Sequence, residues 1–159
     1  CVYRAIFALG VNHGSVNMDL LITNEGNVHI VDVGARMGGN LIGSHIIPMG
    51  TGIDYMGNMI RAAVGDATNW KPEWQPKPVA TKLLALTPGK IKKLPNFDQM
   101  AAECNVLIEH HLHVGDTITP YRTNLDGCGY VIASELDVCL SIAQAAEVKS
   151  LIDKSIERE

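Results

Sequence analysis

Long apolar runs, a basic excess and an ordered cysteine pattern are all missing from this sequence. No stretch is apolar for long enough to span a bilayer and no secretory leader is visible, so no membrane partner is expected. Thirteen Lys and Arg stand against seventeen Asp and Glu, a net charge of −4. That sign argues against a general nucleic-acid or membrane-surface binder. The four cysteines, Cys1, Cys104, Cys128 and Cys139, have neither a metal-binding spacing nor the density of a disulfide framework. Reduced thiols and a cytoplasmic setting are the simplest expectation. There is no internal repeat and no low-complexity tract. There is also no Gly-x-x-x-x-Gly-Lys-Ser/Thr and no Gly-x-Gly-x-x-Gly after a strand, which excludes a P-loop and a dinucleotide fingerprint. What is left is 159 residues with 47% hydrophobic content, enough for one good core, or one core and a small lobe.

The informative stretch begins at Val16. Residues 16–22 and 28–33 are rich in Val, Ile, Leu and Met, and Asn24-Glu25-Gly26-Asn27 between them are turn formers, so a β-hairpin is expected. A hairpin closing symmetrically on Glu25-Gly26 sets Asp19 directly opposite Asp32. Opposed side chains on one face have Cβ atoms roughly 4.5–5.5 Å apart, and like charges there repel. A divalent cation removes that repulsion, and hard carboxylate oxygens suit Mg²⁺. A glycine bulge at Gly26 would instead shift the pairing by one and turn one aspartate to the other face. Two solvated aspartates on a hairpin are the competing reading.

Downstream the chain reads Asp32-Val-Gly34-Ala-Arg36-Met-Gly38-Gly39-Asn40. In an extended segment Asp32, Gly34 and Arg36 share one side, so the Arg36 guanidinium points with Asp32 and can grip a carboxylate or phosphate with two hydrogen bonds. Gly38 and Gly39 let backbone approach a ligand closely. Thr51-Gly-Ile-Asp54 resembles a capping box opening a helix whose stripe of Tyr55, Met56, Met59, Ile60, Ala63 and Val64 should be buried, with Gly65 as its C-cap.

These features together resemble the C-terminal half of the ATP-grasp fold in carboxylate–amine ligases of the carbamoyl-phosphate-synthase and amino-acid-ligase type. The resemblance rests on an acid in a strand (Asp19), a strand ending in acid-x-x-x-Arg before Gly-Gly (Asp32 to Gly39), and the Thr-Gly-Ile-Asp helix start. It implies an α+β fold: the C-terminal half of an ATP-grasp core, an antiparallel sheet with helices, over residues 1–69. A Pro-rich linker at 70–78 and a small β-rich lobe closed by a C-terminal helix at 79–159 would follow. It implies ATP and Mg²⁺, or Mn²⁺ in its place, as cofactors, with Asp19 and Asp32 as metal ligands. Arg36 would be the catalytic electrostatic stabiliser, and Gly38, Gly39 and Asn40 would form the nucleotide-binding loop. The implied activity is an ATP-dependent carboxylate ligase working through an acyl phosphate, with small-molecule carboxylate and amine substrates. A homodimer is compatible with it. Two departures qualify the match. The family pattern Glu-x-Asn-x-Arg reads Asp32-x-Gly34-x-Arg36 here, so the acid is shorter by one methylene and the amide oxygen for a second metal is gone. They recommend the alternative of a non-catalytic nucleotide-binding or assembly module on the same scaffold. The chain reads as the C-terminal part of a longer protein, whose missing N-terminal half would supply phosphate-reaching lysines and the strand that frames the adenine.

The second half offers strands at 79–86 and 129–133, a short helix at 97–104 and a long one from 136 or 137 to about 157. Its long helix places Val138, Ile142, Ala145, Ala146, Val148, Leu151 and Ile152 mostly on one face. Val106–Val114 reads as a strand carrying His110, His111 and His113, which a zinc site could use only with further ligands; exposed strand histidines are the plainer reading. Residues 71–95 hold six lysines and one acid, while residues 96–159 hold eleven acids and four basic residues. A solvated strand and loop accounts for the basic stretch more simply than an anionic ligand does.

Overall fold

The first hairpin closes by a different route from the symmetric one, yet delivers the same aspartate pair. In the computed structural model, which describes all of residues 1–159, β1 (Asn17–Ile22) and β2 (Val28–Gly34) are antiparallel. The turn is a three-residue loop. Gly26 N donates to Thr23 O at 2.9 Å, Thr23 N donates to Asn27 O at 2.9 Å, and Gly26 sits at φ +82°. That is the left-handed position where a glycine bulge belongs. Near the turn the register is therefore shifted, with Ile22 opposite Val28 and Leu20 opposite Ile30. A second irregularity follows, in which Val31 has no partner, and it restores the pairs Asp19–Asp32, Met18–Val33 and Asn17–Gly34. Two bulges cancel, so both aspartates share one face.

The chain divides into two compact units, Cys1–Pro76 and Lys77–Glu159. The first holds α1 (Val2–Ala8), the β1–β2 ribbon, a π-helical turn at Ile42–Ile46 running into α2 (Ile47–Thr51), and α3 (Tyr55–Val64). No hydrophobic side chain in this unit is fully buried; its one fully buried polar residue is Asn58. The Asn58 amide clamps the main chain of Asn69, donating to its carbonyl at 2.6 Å and accepting from its N–H at 2.9 Å. Trp70 then packs edge-on against Tyr55 at 5.8 Å. The α3 stripe differs from expectation. Tyr55, Met56 and Met59 are half-buried, but Ile60 and Val64 are 60% and 70% exposed.

The second unit carries the hydrophobic core. β3 (Ala80–Leu83), β7 (Gly129–Ala133) and β5 (Leu107–His110) form one antiparallel sheet in that spatial order. β6 (Thr117–Ile118), β4 (Gly89–Lys93) and β8 (Glu157–Arg158) form another. β7 is central and its Val131, Ile132 and Ala133 have no solvent exposure, as expected of an apolar run covered on both faces. α4 (Phe97–Cys104) is capped by Asn96, and α5 (Val138–Ser155) by the Asp137 side chain, which accepts from Leu140 N. The buried face of α5 is Ser141, Ala145, Val148 and Ile152. Val138, Ile142 and Leu151, expected on that face, are exposed. The expected 106–114 strand ends at His110. No helix is long and apolar enough to cross a membrane.

Candidate functional site

The ladder between β1 and β2 contains only three side chains with oxygen atoms: Asn17, Asp19 and Asp32. All three stand on one face, because Asn17 and Asp19 are two apart on β1 and Asp19 pairs with Asp32. Both aspartates are exposed, and no ion pair or hydrogen bond within the chain engages either carboxylate. Two opposed carboxylates without a counter-charge repel each other, and a cation between them reverses the sign of that interaction. The donor set is hard oxygen only, which suits Mg²⁺. No group of three His, Cys, Asp or Glu converges anywhere in the molecule.

Arg36 reaches this face, but not by strand alternation. β2 ends at Gly34 and the chain turns tightly at Ala35, where Arg36 N donates to Gly34 O at 2.8 Å. The Arg36 side chain then folds back over Gly34: a Cβ built there would sit 3.5 Å from Arg36 Cγ and 3.6 Å from Nε. Its Nη1 donates to Met37 O at 2.8 Å, which leaves the rest of an exposed guanidinium facing outward beside the aspartates' side of the ribbon. It is thus an exposed cation on the side of the ribbon that carries the two aspartates.

The glycine loop is built tightly at one point and openly at the next. A Cβ on Gly38 would lie 2.9 Å from Asn17 Oδ1 and 3.1 Å from Ile42 Cδ1, whereas one on Gly39 would meet nothing within 4 Å. Asn40 and Leu41 follow with φ +53° and +64°. Two consecutive non-glycine residues in the left-handed region cost roughly 1–2 kcal/mol each, and such strain collects at ligand-binding segments. The π-helical turn that starts at Ile42 is another irregularity of the same kind. Behind it, Gly43 is buried against Tyr55 and Met37.

The helix start is displaced from the expected one. Thr51 does not open a capping box. It is the last residue of α2, its Oγ1 donating to Ile47 O at 2.8 Å. Asp54 itself is the N-cap of α3, accepting from Gly57 N at 2.9 Å and pairing with Arg61 at 3.1 Å. Its carboxylate is committed to the helix and not to the site. A cleft of about 490 Å³ borders the segment leading into β1, walled by Asn12 to Ser15 and by Tyr55, Met59 and Trp70.

The histidines of the second unit do not converge. His110 lies against the Phe97 ring at 3.9 Å, and its Nδ1 accepts from Leu112 N at 3.2 Å. Burial, aided by the neighbouring His113 and His111, pushes its imidazole below the ordinary value against the pull of Glu109 and Asp98. His113 instead faces Asp116 at 3.5 Å. A zinc centre is not built here. Sequence reasoning passed over Asn17, although its place two residues before Asp19 was the available signal.

No protein-family model matches the sequence. It is 26% identical over 133 residues, 83% of this chain and 27% of the relative, to the uncharacterized protein y4rH of Sinorhizobium fredii (strain NBRC 101917 / NGR234). Among solved structures it resembles phosphoribosylglycinamide synthetase from Anaerococcus prevotii, with TM-score 0.76 and 18% identity over 99% of this chain and 40% of that one. It also resembles L-amino acid ligase from Bacillus licheniformis, with TM-score 0.72 and 20% identity over 99% and 41%. A third is the biotin carboxylase domain of Hydrogenobacter thermophilus 2-oxoglutarate carboxylase, in complex with MgADP, ADP and bicarbonate. There the TM-score is 0.63 and the identity 17% over 99% and 34%. The chain therefore spans about a quarter of the curated relative and between 34% and 41% of these structures.

Proposed function

We propose that this chain, which has the fold of the C-terminal portion of ATP-grasp carboxylate–amine ligases, is part of an ATP- and Mg²⁺-dependent carboxylate ligase. The observation that carries the reading is the convergence on one ribbon face of two unpaired carboxylates, with an arginine folded over Gly34 and a strained glycine loop beside it. A neighbour of the same fold binds MgADP and bicarbonate. Here Asp19 and Asp32 would hold Mg²⁺, or Mn²⁺ in its place, and Gly38, Gly39 and Asn40 would flank the nucleotide phosphates. A divalent cation at this position supplies charge neutralisation for the transferring phosphoryl group.

In this reading a substrate carboxylate oxygen forms a bond to the γ-phosphorus as the bond to ADP breaks, giving an acyl phosphate and ADP. An amine nitrogen then attacks the acyl carbon, losing a proton, and inorganic phosphate departs. The chain itself supplies position and charge: Arg36 offers a fixed guanidinium to the developing negative charge, and no side chain of the site acts as a nucleophile. In this reading the contacts that hold the adenine and choose the carboxylate and amine would come largely from loops and from an N-terminal half of the same protein.

A second reading is favoured by Gly34, which has no side chain to ligate a second metal, and by the shorter Asp32. In it the scaffold binds nucleotide without turnover and serves assembly. Calorimetric titration of the full-length protein with Mg²⁺ and ATP, followed by an assay for ADP, separates the two. ADP release that depends on an added carboxylate supports the ligase. Nucleotide binding without such release supports the module.

A further inference from the structure

Mg²⁺ takes six oxygens, and the ribbon offers two carboxylates with no third acid, histidine or cysteine nearby. The remaining oxygen-bearing side chain of the ladder is Asn17, which pairs directly with Gly34. Paired residues on one face have Cβ positions roughly 4.5–5.5 Å apart, so an amide at 17 can serve the ground that an amide at 34 would serve. Asn17 is also two residues from Asp19 on the same face, a spacing at which two side chains can share one ion. It is half-buried, with Oδ1 directed at Gly38 on the loop side of the aspartates. Its amide oxygen thus borders the glycine loop, on the ribbon face that also carries the carboxylate pair. Gly34 is not held as glycine by the backbone. Its φ is not in the left-handed region, and a Cβ there would make only ordinary contacts with Arg36. Position 34 would thus accept a side chain, and the residue directly opposite it carries an amide.

We propose that Asn17 is the third protein ligand of the divalent cation, supplying from β1 the amide oxygen that β2 lacks at Gly34. The proposal rests on the metal site assigned above to Asp19 and Asp32.

Mn²⁺ binding to the full-length protein, followed by loss of the free-ion paramagnetic resonance signal, tests it. Asn17→Ala should weaken Mn²⁺ binding on the order of tenfold, and Gly34→Asn added to it should recover most of that loss. Asn17→Asp, which keeps the oxygen and adds charge, should bind more tightly than the natural protein. Asp32→Asn serves as the control for the site itself. If Asp32→Asn loses Mn²⁺ while Asn17→Ala binds normally, the role of Asn17 is overturned and the aspartate site stands. If Asp32→Asn also binds normally, both fall. A lower melting temperature of metal-free Asn17→Ala with unchanged Mn²⁺ affinity would make Asn17 a strut for the loop, and overturns the proposal. Should Asn17→Ala fail to fold, Asn17→Asp decides alone: tighter binding supports the ligand role, and equal or weaker binding overturns it.

Discussion

Gly34, Gly38 and Gly39 stand within six residues of one another, yet the structure gives them different reasons to be glycine. A side chain at Gly34 meets only the flexible Arg36, and one at Gly39 meets open space. At Gly38 a single Cβ drives into Asn17 Oδ1 and Ile42 Cδ1, which links the glycine loop to β1 and to the π-helical turn. Gly38→Ala should therefore cost about 1–2 kcal/mol, while Gly34→Ala and Gly39→Ala stay within about 0.5 kcal/mol of the natural protein. Urea melts of the three variants check this, and equal costs across the three would remove the packing argument. The type of residue was legible in the sequence at all three positions, but which of them is crowded was not. That depends on a side chain twenty-one positions away, brought in by the hairpin.

At the scale of the element, local chemistry was readable wherever it decided the outcome alone. The hairpin strands, the C-cap at Gly65, the short helix Phe97–Cys104 and the start of the long helix near 137 follow from turn formers, glycine and apolar spacing. The register was legible only in its result. Two compensating bulges, one at Gly26 and one at Val31, leave the aspartates opposed, and nothing in the residue types announces the second. The helix faces were misread where apolar residues are exposed, as at Ile60, Val64 and Ile142. Periodicity marks a stripe, but tertiary contacts decide how much of it is covered.

The closing elements of the second unit add a pH dependence. Asp153 on α5 accepts from Thr87 N at 2.9 Å and Thr87 Oγ1 at 3.0 Å, and pairs with Arg158 on β8 at 2.5 Å and with Lys149 at 3.5 Å. Burial pushes its carboxyl up. The Thr87 hydrogen bonds and the two cations outweigh burial and hold it below the usual carboxylate range. A carboxyl lowered by folding contributes stability above its unfolded value of about 3.9 and loses it as the pH falls through the folded value. Stability should therefore fall in acid below about pH 4. Asp153→Asn should flatten that fall and begin roughly 2 kcal/mol lower at neutral pH. Denaturant midpoints measured from pH 7 to pH 3 test this, and parallel curves for the two proteins would contradict it.

The whole molecule is uneven in what holds it together. All its fully buried hydrophobic side chains, from Leu84 to Ile156, belong to the second unit. The first exposes Tyr3 and Phe7 on α1 and Leu21, Ile22 and Val31 on the ribbon, and a two-stranded ribbon is marginal on its own. Amide hydrogen exchange should accordingly find its slowest protons in β7 and the buried face of α5, with β1 and β2 opening at much lower free energy. Slowest exchange in the ribbon would refute this division. The fold as a whole was legible through a few residues in order, Asp19, Asp32, Arg36 and the two glycines. The substrates were not, because no residue pattern in these 159 positions names a carboxylate or an amine, and the chain spans only 40% of the solved phosphoribosylglycinamide synthetase.

The central claim is that the opposed aspartates and Arg36 serve phosphoryl transfer. Its most direct test is carboxylate-dependent ADP release from Mg·ATP by the full-length protein, in natural form and as Asp32→Asn and Arg36→Ala. The account predicts that each substitution lowers the rate by at least about 10²-fold with an unchanged far-ultraviolet circular dichroism spectrum. Full turnover by either variant would contradict it.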